Sequence, residues 1–191
     1  TTMNSNRRLS QSWCRAAIFL AAIASVCGPR AAEAQTTWTV TTGTWSAGTS
    51  WQGGTAPTAT GTAYFSDASV GSSGVTSLLS TNVTIAGLSF NTSGSTVISA
   101  ASSTAALLTL GTGGIAMNAT SGAVTIGASG SAVNLSLAGT QTWTNDSSGL
   151  LSILGTIDGS SALTIAGSGS TTLSGQIRGL SSLTKDGGGM L

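Results

Sequence analysis

Two neighbouring stretches, Gly155–Thr171 (GTIDGSSALTIAGSGST) and Gly175–Leu191 (GQIRGLSSLTKDGGGML), align without a gap, Gly155 over Gly175, and share 8 of 17 positions. Low complexity inflates the Gly and Ser matches. The weight therefore rests on Ile157 over Ile177, Leu163 over Leu183 and Thr164 over Thr184. A unit this short, with two or three strands, cannot bury a core alone. Stacked copies can, each strand pairing with its equivalent in the next copy at about 4.8 Å. In that register Asp158 falls beside Arg178, both one residue after an inward Ile, and the pair is expected to form a surface ion pair.

Upstream the same pattern continues in looser form. Val83-Thr84-Ile85, Leu108-Thr109-Leu110, Val124-Thr125-Ile126, Leu135-Ser136-Leu137 and Leu163-Thr164-Ile165 alternate apolar with hydroxyl residues. Period two is the strand signal, and β-branched Thr suits the outer face of a pleated backbone. Gly-rich breaks separate the strands at Gly111-Thr112-Gly113-Gly114, Gly127–Gly130 and Gly167-Ser168-Gly169. Strands recur at short intervals, and no helical periodicity is sustained. The chain therefore reads as all-β, a right-handed parallel β-helix or solenoid with about 20-residue rungs, the hand being the one implied by the resemblance described below. Roughly seven rungs would make a rod of about 35 Å, with apolar columns inside and Ser and Thr outside. An antiparallel sandwich also spaces its strands this way, but few Asp-Gly or Asn-Gly hairpin signals are present. The leucine-rich-repeat spacing is absent.

Composition narrows the function. Of 191 residues, 27 are Gly, 32 Ser and 31 Thr, and only 6% are charged, against about 25% in an ordinary domain. Six basic residues supply no phosphate-binding patch, so nucleic acid is excluded as a partner. The chain is 40% hydrophobic with a mean hydropathy of +0.31, which argues against charge-driven disorder. Too little Glu and Lys is present for a coiled coil.

The first segment reads as an address. Arg7, Arg8 and Arg15 precede the apolar run Ala16–Val26, which is followed by Ala32-Glu33-Ala34. The run is shorter than the roughly 20 residues a membrane-spanning helix needs. This order is that of a secretory signal peptide, 1–34, cleaved between Ala34 and Gln35. The twin-arginine and lipoprotein variants fit less well, because Leu9-Ser10 and Val26 are poor neighbours for them. Cleavage removes four basic residues and both cysteines. It leaves Arg178 and Lys185 against Asp67, Asp146, Asp158 and Asp186, a net charge of −2. Residues 35–80 then read as an N-terminal cap region with the first strands, and 81–191 as the solenoid repeats.

Candidate chemistry is sparse. Without His, and without Cys or Glu after residue 34, the chain offers no Ser-His-Asp triad and no ordinary zinc site. No cofactor is called for, and the expectation is a protein that is not an enzyme. The four Asp residues read as turn residues, with Asp158 and Asp186 on different faces. Gly111-Thr112-Gly113-Gly114-Ile115-Ala116 matches a loose phosphate-loop pattern but reads as a turn between strands, with no helix to follow. Trp38, Trp45 and Trp51, with Tyr64 and Phe65 after them, read as a cap over the first rung. Clustered Trp also stacks on sugars, which makes the three indoles the candidate ligand-stacking residues. Trp143 reads as core. Five Asn-x-Ser/Thr sequons, at Asn82, Asn91, Asn118, Asn134 and Asn145, read as turn and ladder asparagines.

The tail Gly175-x-Ile177-x-Gly179-x3-Leu183-Thr184-Lys185-x-Gly187-x-Gly189-x-Leu191 resembles the passenger-associated β-strand repeat of bacterial autotransporters. Ile85-Ala86-Gly87-Leu88-Ser89-Phe90-Asn91 and the Trp38, Trp45, Trp51, Pro57, Phe65 series also fit such passengers. The Gly155 copy departs from the family in carrying Ile165 where Lys is usual. The resemblance implies a right-handed parallel β-helix, exported and held at the cell surface or outer membrane, or secreted. It also implies a translocator barrel downstream of Leu191 and a host-surface or glycan ligand. Three readings follow: a non-enzymatic stalk or adhesin scaffold, the non-catalytic part of a secreted β-helix enzyme acting on polysaccharide, or an exported β-sandwich carbohydrate-binding module.

The leader reading has a direct consequence. Both cysteines, Cys14 and Cys27, leave with the leader, so the exported chain should melt at the same temperature with and without reductant. A reductant-dependent shift in a calorimetric scan would show that a cysteine has been retained.

Overall fold

The computed structural model describes residues 34–191, so all but the last residue of the expected leader lies outside the described residues. Within this range nearly every segment that alternates apolar with Ser or Thr is a strand, and the strands stack as a parallel β-solenoid. The first turn holds β1 (Ala34–Thr37) and β2 (Thr42–Thr44); the second holds β3 (Gly61–Ser66) and β4 (Val75–Leu79). Next come β5 (Val83–Asn91) with β6 (Thr96–Ala100), and β7 (Ala106–Met117) with β8 (Val124–Ile126). From there each turn has a third strand. β9 (Val133–Leu137), β10 (Gln141–Asn145) and β11 (Leu151–Ile153) are followed by β12 (Ile157–Gly159), β13 (Ala162–Ala166) and β14 (Thr171–Leu173). β15 (Ile177–Arg178) and β16 (Ser182–Lys185) end the described chain. One short helix, α1 (Asp67–Val70), sits between β3 and β4.

Among the described residues the strands form a 10-stranded and a 6-stranded sheet. The smaller runs β2-β4-β6-β8-β11-β14, so its six strands bound five complete turns. Every strand pairing in both sheets is parallel. That excludes the antiparallel sandwich, and the β-sandwich binding module falls with it. The physical reason is that each strand finds its partner in the neighbouring turn rather than across a hairpin, which needs no tight turn chemistry.

The register confirms the repeat columns. Ile157 pairs with Ile177, and Leu163 with Leu183, at the step the repeat sets. Elsewhere the step is longer: slightly so from Leu135 to Ile157, more from Ala106 to Val133, and most from Thr42 to Thr76. The stacked strands keep one cross-section while the connections between them grow. Between Thr42 and Thr76 the chain inserts two 3₁₀ turns, Gly48–Ser50 and Gln52–Gly54, as well as α1. Longer steps are why the chain makes five turns between its outer strands in the smaller sheet rather than the seven rungs that a uniform short repeat would give.

The stretch Gly111–Gly114 is not the expected turn between strands. It lies inside β7, at an irregularity in pairing between Ile85 and Gly87 of β5. Gly114 has φ +61, and a Cβ there would meet Thr142 O at 2.2 Å, so the glycine lets β7 bend without leaving the sheet. One turn further on, the two halves of β7 are matched by separate strands, β9 and β10.

Alternation sorts the side chains. Ala63, Leu88, Ile115, Trp143 and Ile165 form one inward column, with Lys185 in the last position; Val83, Leu108, Leu135, Ile157 and Ile177 form another. On the outer side of the smaller sheet, Thr42, Thr76, Val97, Thr125, Ser152 and Thr172 follow one another. Some hydroxyls point inward instead. Thr96 occupies the place between Val75 and Val124, and Ser77 and Thr171 are likewise buried, none of the three hydroxyls with a hydrogen-bond partner in the structure. Thr has nearly the shape of Val, so it fills a valine place at the expense of a desolvated hydroxyl.

Burial depends on having a turn on each side. Leu163 is fully buried whereas Leu183, one turn later in the same column, is 41% exposed. Leu163→Ala should therefore destabilise the fold by about 2 to 5 kcal/mol, and Leu183→Ala by clearly less, measured by urea unfolding. Equal losses at the two positions would refute the column assignment.

Candidate functional site

The aromatic group at the first turn is built by the local sequence. Trp38 follows β1, Trp45 follows β2, and Trp51 closes the first 3₁₀ turn. A bridge between Trp38 and Trp51 and the bond from Trp45 N to Leu78 O at 2.8 Å tie these segments together. The indoles then meet edge to face: Trp38 and Trp51 at 4.9 Å, Trp45 and Trp51 at 4.9 Å. Phe65 lies 5.8 Å from Trp38 and stacks on Phe90 of the next turn at 5.2 Å. Two of the indole N–H groups find backbone acceptors nearby. Trp51 Nε1 donates to Trp45 O at 2.6 Å, and Trp38 Nε1 donates to Val40 O.

All three tryptophans are at most 3% exposed. The structure brings them together, as the clustering implies, but turns them inward. No ring face is open to a sugar, so in this conformation the group packs into the core, and the candidate ligand-stacking residues are packing residues. Trp143 is fully buried, as expected.

The structure disperses the acidic residues. Asp67 opens α1, whose Ser66 cap accepts from Ala68 N. Asp146 follows β10, Asp158 lies in β12, and Asp186 follows β16. No group of three His, Cys, Asp or Glu side chains converges among the described residues.

Asp158 and Arg178 are cross-strand partners, in the register expected. The ion pair does not form. Arg178 Nε donates to Gln176 Oε1 at 3.1 Å, and Nη2 donates to the same oxygen. Gln176 lies two residues back, on the same side of the chain. An exposed ion pair is worth only about 0 to 1 kcal/mol, too little to draw the guanidinium away from a neutral acceptor at hand.

The sequon asparagines stitch neighbouring turns. Asn82 Oδ1 accepts from Leu107 N at 3.0 Å, and Asn134 Oδ1 accepts from Thr156 N at 3.1 Å. Asn91 donates to Tyr64 Oη at 3.2 Å and accepts from Thr120 Oγ1 at 2.9 Å. Asn145 goes further than its sequence context suggests. It is fully buried in the column of Phe65, Phe90 and Met117, where it donates to Gly149 O at 2.9 Å and Ser170 O at 2.7 Å and accepts from Ser147 N at 3.0 Å. Its parity with Trp143 was the available signal, since residues two apart share a face.

The arrangement supports packing and stacking. Among the described residues it juxtaposes no nucleophile, base and orienting group. No protein-family model, curated protein or solved structure matches the chain.

The Ser93 hydroxyl and the Ser93 backbone N–H, which donates to Oδ1 at 2.8 Å, hold the Asp67 carboxyl below its ordinary value of 3.8. The folded state therefore favours the carboxylate. Its contribution is present above the unfolded value and is lost as pH falls through the lower folded one. Asp67→Asn should thus lower stability at neutral pH and make no difference in acid below the folded value. Urea midpoints of both chains at the two pH values test this; a gap that persists in acid would refute it.

Proposed function

We propose that the chain is a non-enzymatic structural segment of an exported autotransporter passenger, acting as a stalk or an adhesin scaffold. The observation that carries this reading is the parallel β-solenoid itself. A stack of like turns, coated by Ser and Thr, fits a scaffold role. The autotransporter assignment rests on the tail motif from Gly175 to Leu191 and on the leader ahead of Gln35. In this reading the chain crosses the inner membrane, loses residues 1–34, and reaches the cell surface, the outer membrane or the medium. A translocator barrel downstream of Leu191 is its export partner, and a host-surface molecule or glycan is its target.

Two features agree with this reading. β1, the first strand among the described residues, spans Ala34–Thr37, so the solenoid ladder is in place beside the expected cleavage point. The step from Ile157 to Ile177 and from Leu163 to Leu183 is the same, so a further unit of that pattern could stack on β15 and β16.

The test is export. In a bacterium with two membranes, the chain should leave the cytoplasm, and deletion of Ala16–Val26 should hold it there. Cell fractionation with antibody detection reads the result. Cytoplasmic retention of the intact chain would refute the proposal.

A further inference from the structure

We propose that Gln35, once it is the first residue of the mature chain, closes its side chain onto its own α-amino group and blocks the N-terminus as a five-membered lactam. This rests on the cleavage after Ala34 in the reading above.

Three observations carry it. The ladder takes hold at this point: β1 begins at Ala34, and Gln35 pairs with Thr62 of β3. The carboxamide is free, because Gln35 is exposed and its side chain has no hydrogen-bond partner among the described residues. The third is position. β1 pairs only with β3, so among the described residues it is an edge strand, with its other side open.

The chemistry needs nothing beyond the residue and water. The α-amine, with a pKa of about 7.7 to 8.0, is partly unprotonated at neutral pH. Its lone pair attacks Cδ, and the Nα–Cδ bond forms. The bond from Cδ to Nε2 breaks, and that nitrogen leaves as ammonia with a proton from the amine. No electron is transferred. The lactam nitrogen keeps one hydrogen, so the donor that the strand can offer its ladder survives while the positive charge of the terminus is lost. The exterior end of β1 is then closed to aminopeptidases, which require a free amine. Cleavage one bond to either side would not give the lactam. Ala34 and Thr36 lack a side-chain carbonyl that could close the ring.

The experiment is mass spectrometry of the N-terminal peptide of the full-length chain after export, with a synthetic peptide bearing free Gln35 carried through the same handling to control for closure during preparation. The expected peptide begins at Gln35 and is lighter than the encoded sequence by one ammonia. The exported protein should also resist aminopeptidase, whereas Gln35→Ala, cleaved at the same bond, should carry a free amine and be trimmed. A peptide beginning at Gln35 with an intact carboxamide overturns the lactam and leaves the export reading standing. A peptide that still contains Met3–Ala34, or begins at another residue, overturns the lactam together with the cleavage it rests on.

Discussion

The structure depends on how closely one turn approaches the next. Parallel strands hydrogen-bond at a spacing of about 4.8 Å, and the connections between strands must hold the same spacing at the corners. There a side chain has no room. A Cβ on Gly155 would lie 1.9 Å from Val133 O; on Gly175, 1.9 Å from Gly155 O; and on Gly189, 1.9 Å from Gly169 O. The carbonyl of one turn occupies the space that a Cβ of the next would need. Glycine at these corners is therefore the condition under which the ladder can close, and it accounts for part of the chain's glycine content.

Given that approach, the columns follow. A residue's neighbours above and below are its equivalents in the adjoining turns, so a position that is apolar in one turn is best apolar in all. Exceptions are tolerated where shape or hydrogen bonding compensates. Thr96 substitutes for a valine by shape, and Asn145 replaces an aromatic or Met by satisfying three backbone groups. The two ends of the stack differ. At the first turn the three tryptophans fill the interior and meet Phe65 of the second, whereas the columns of the last described turn end in the exposed Ile177 and Leu183.

A surface nearly without charge stays wet through its hydroxyls. The column from Thr42 to Thr172 shows how, with Val97 as its one apolar member. A parallel β-solenoid of this kind fits a structural or scaffold role, and in it the tryptophans of the first turn lie inside. The candidate site was legible in the sequence as a cluster and not as a surface. Trp38, Trp45 and Trp51 stand close enough in the chain to announce an aromatic group, but one-dimensional spacing does not say whether ring faces look in or out. The 3₁₀ turns between Gly48 and Gly54, which fold Trp51 back onto Trp38, decide that, and their sequence carries no periodic signal.

The sequence by itself determined the strand character, because alternation of apolar and hydroxyl residues is a local property of the pleat. It also determined the pairing of the last two turns, because Gly155–Thr171 and Gly175–Leu191 repeat without a gap and so share one register. Only the tertiary structure decided the length of the other turns. These grow from the short step between Leu163 and Leu183 to the much longer one between Thr42 and Thr76, because loops extend outward without disturbing the stack. It alone decided that Gly111–Gly114 is a bend inside β7, since a run of glycines reads the same in a turn and in a bulge. And it alone decided that Arg178 turns to Gln176 rather than to Asp158: the register brings the two charges side by side, but on an exposed face the choice of partner lies with small differences in local geometry that no spacing in the chain encodes.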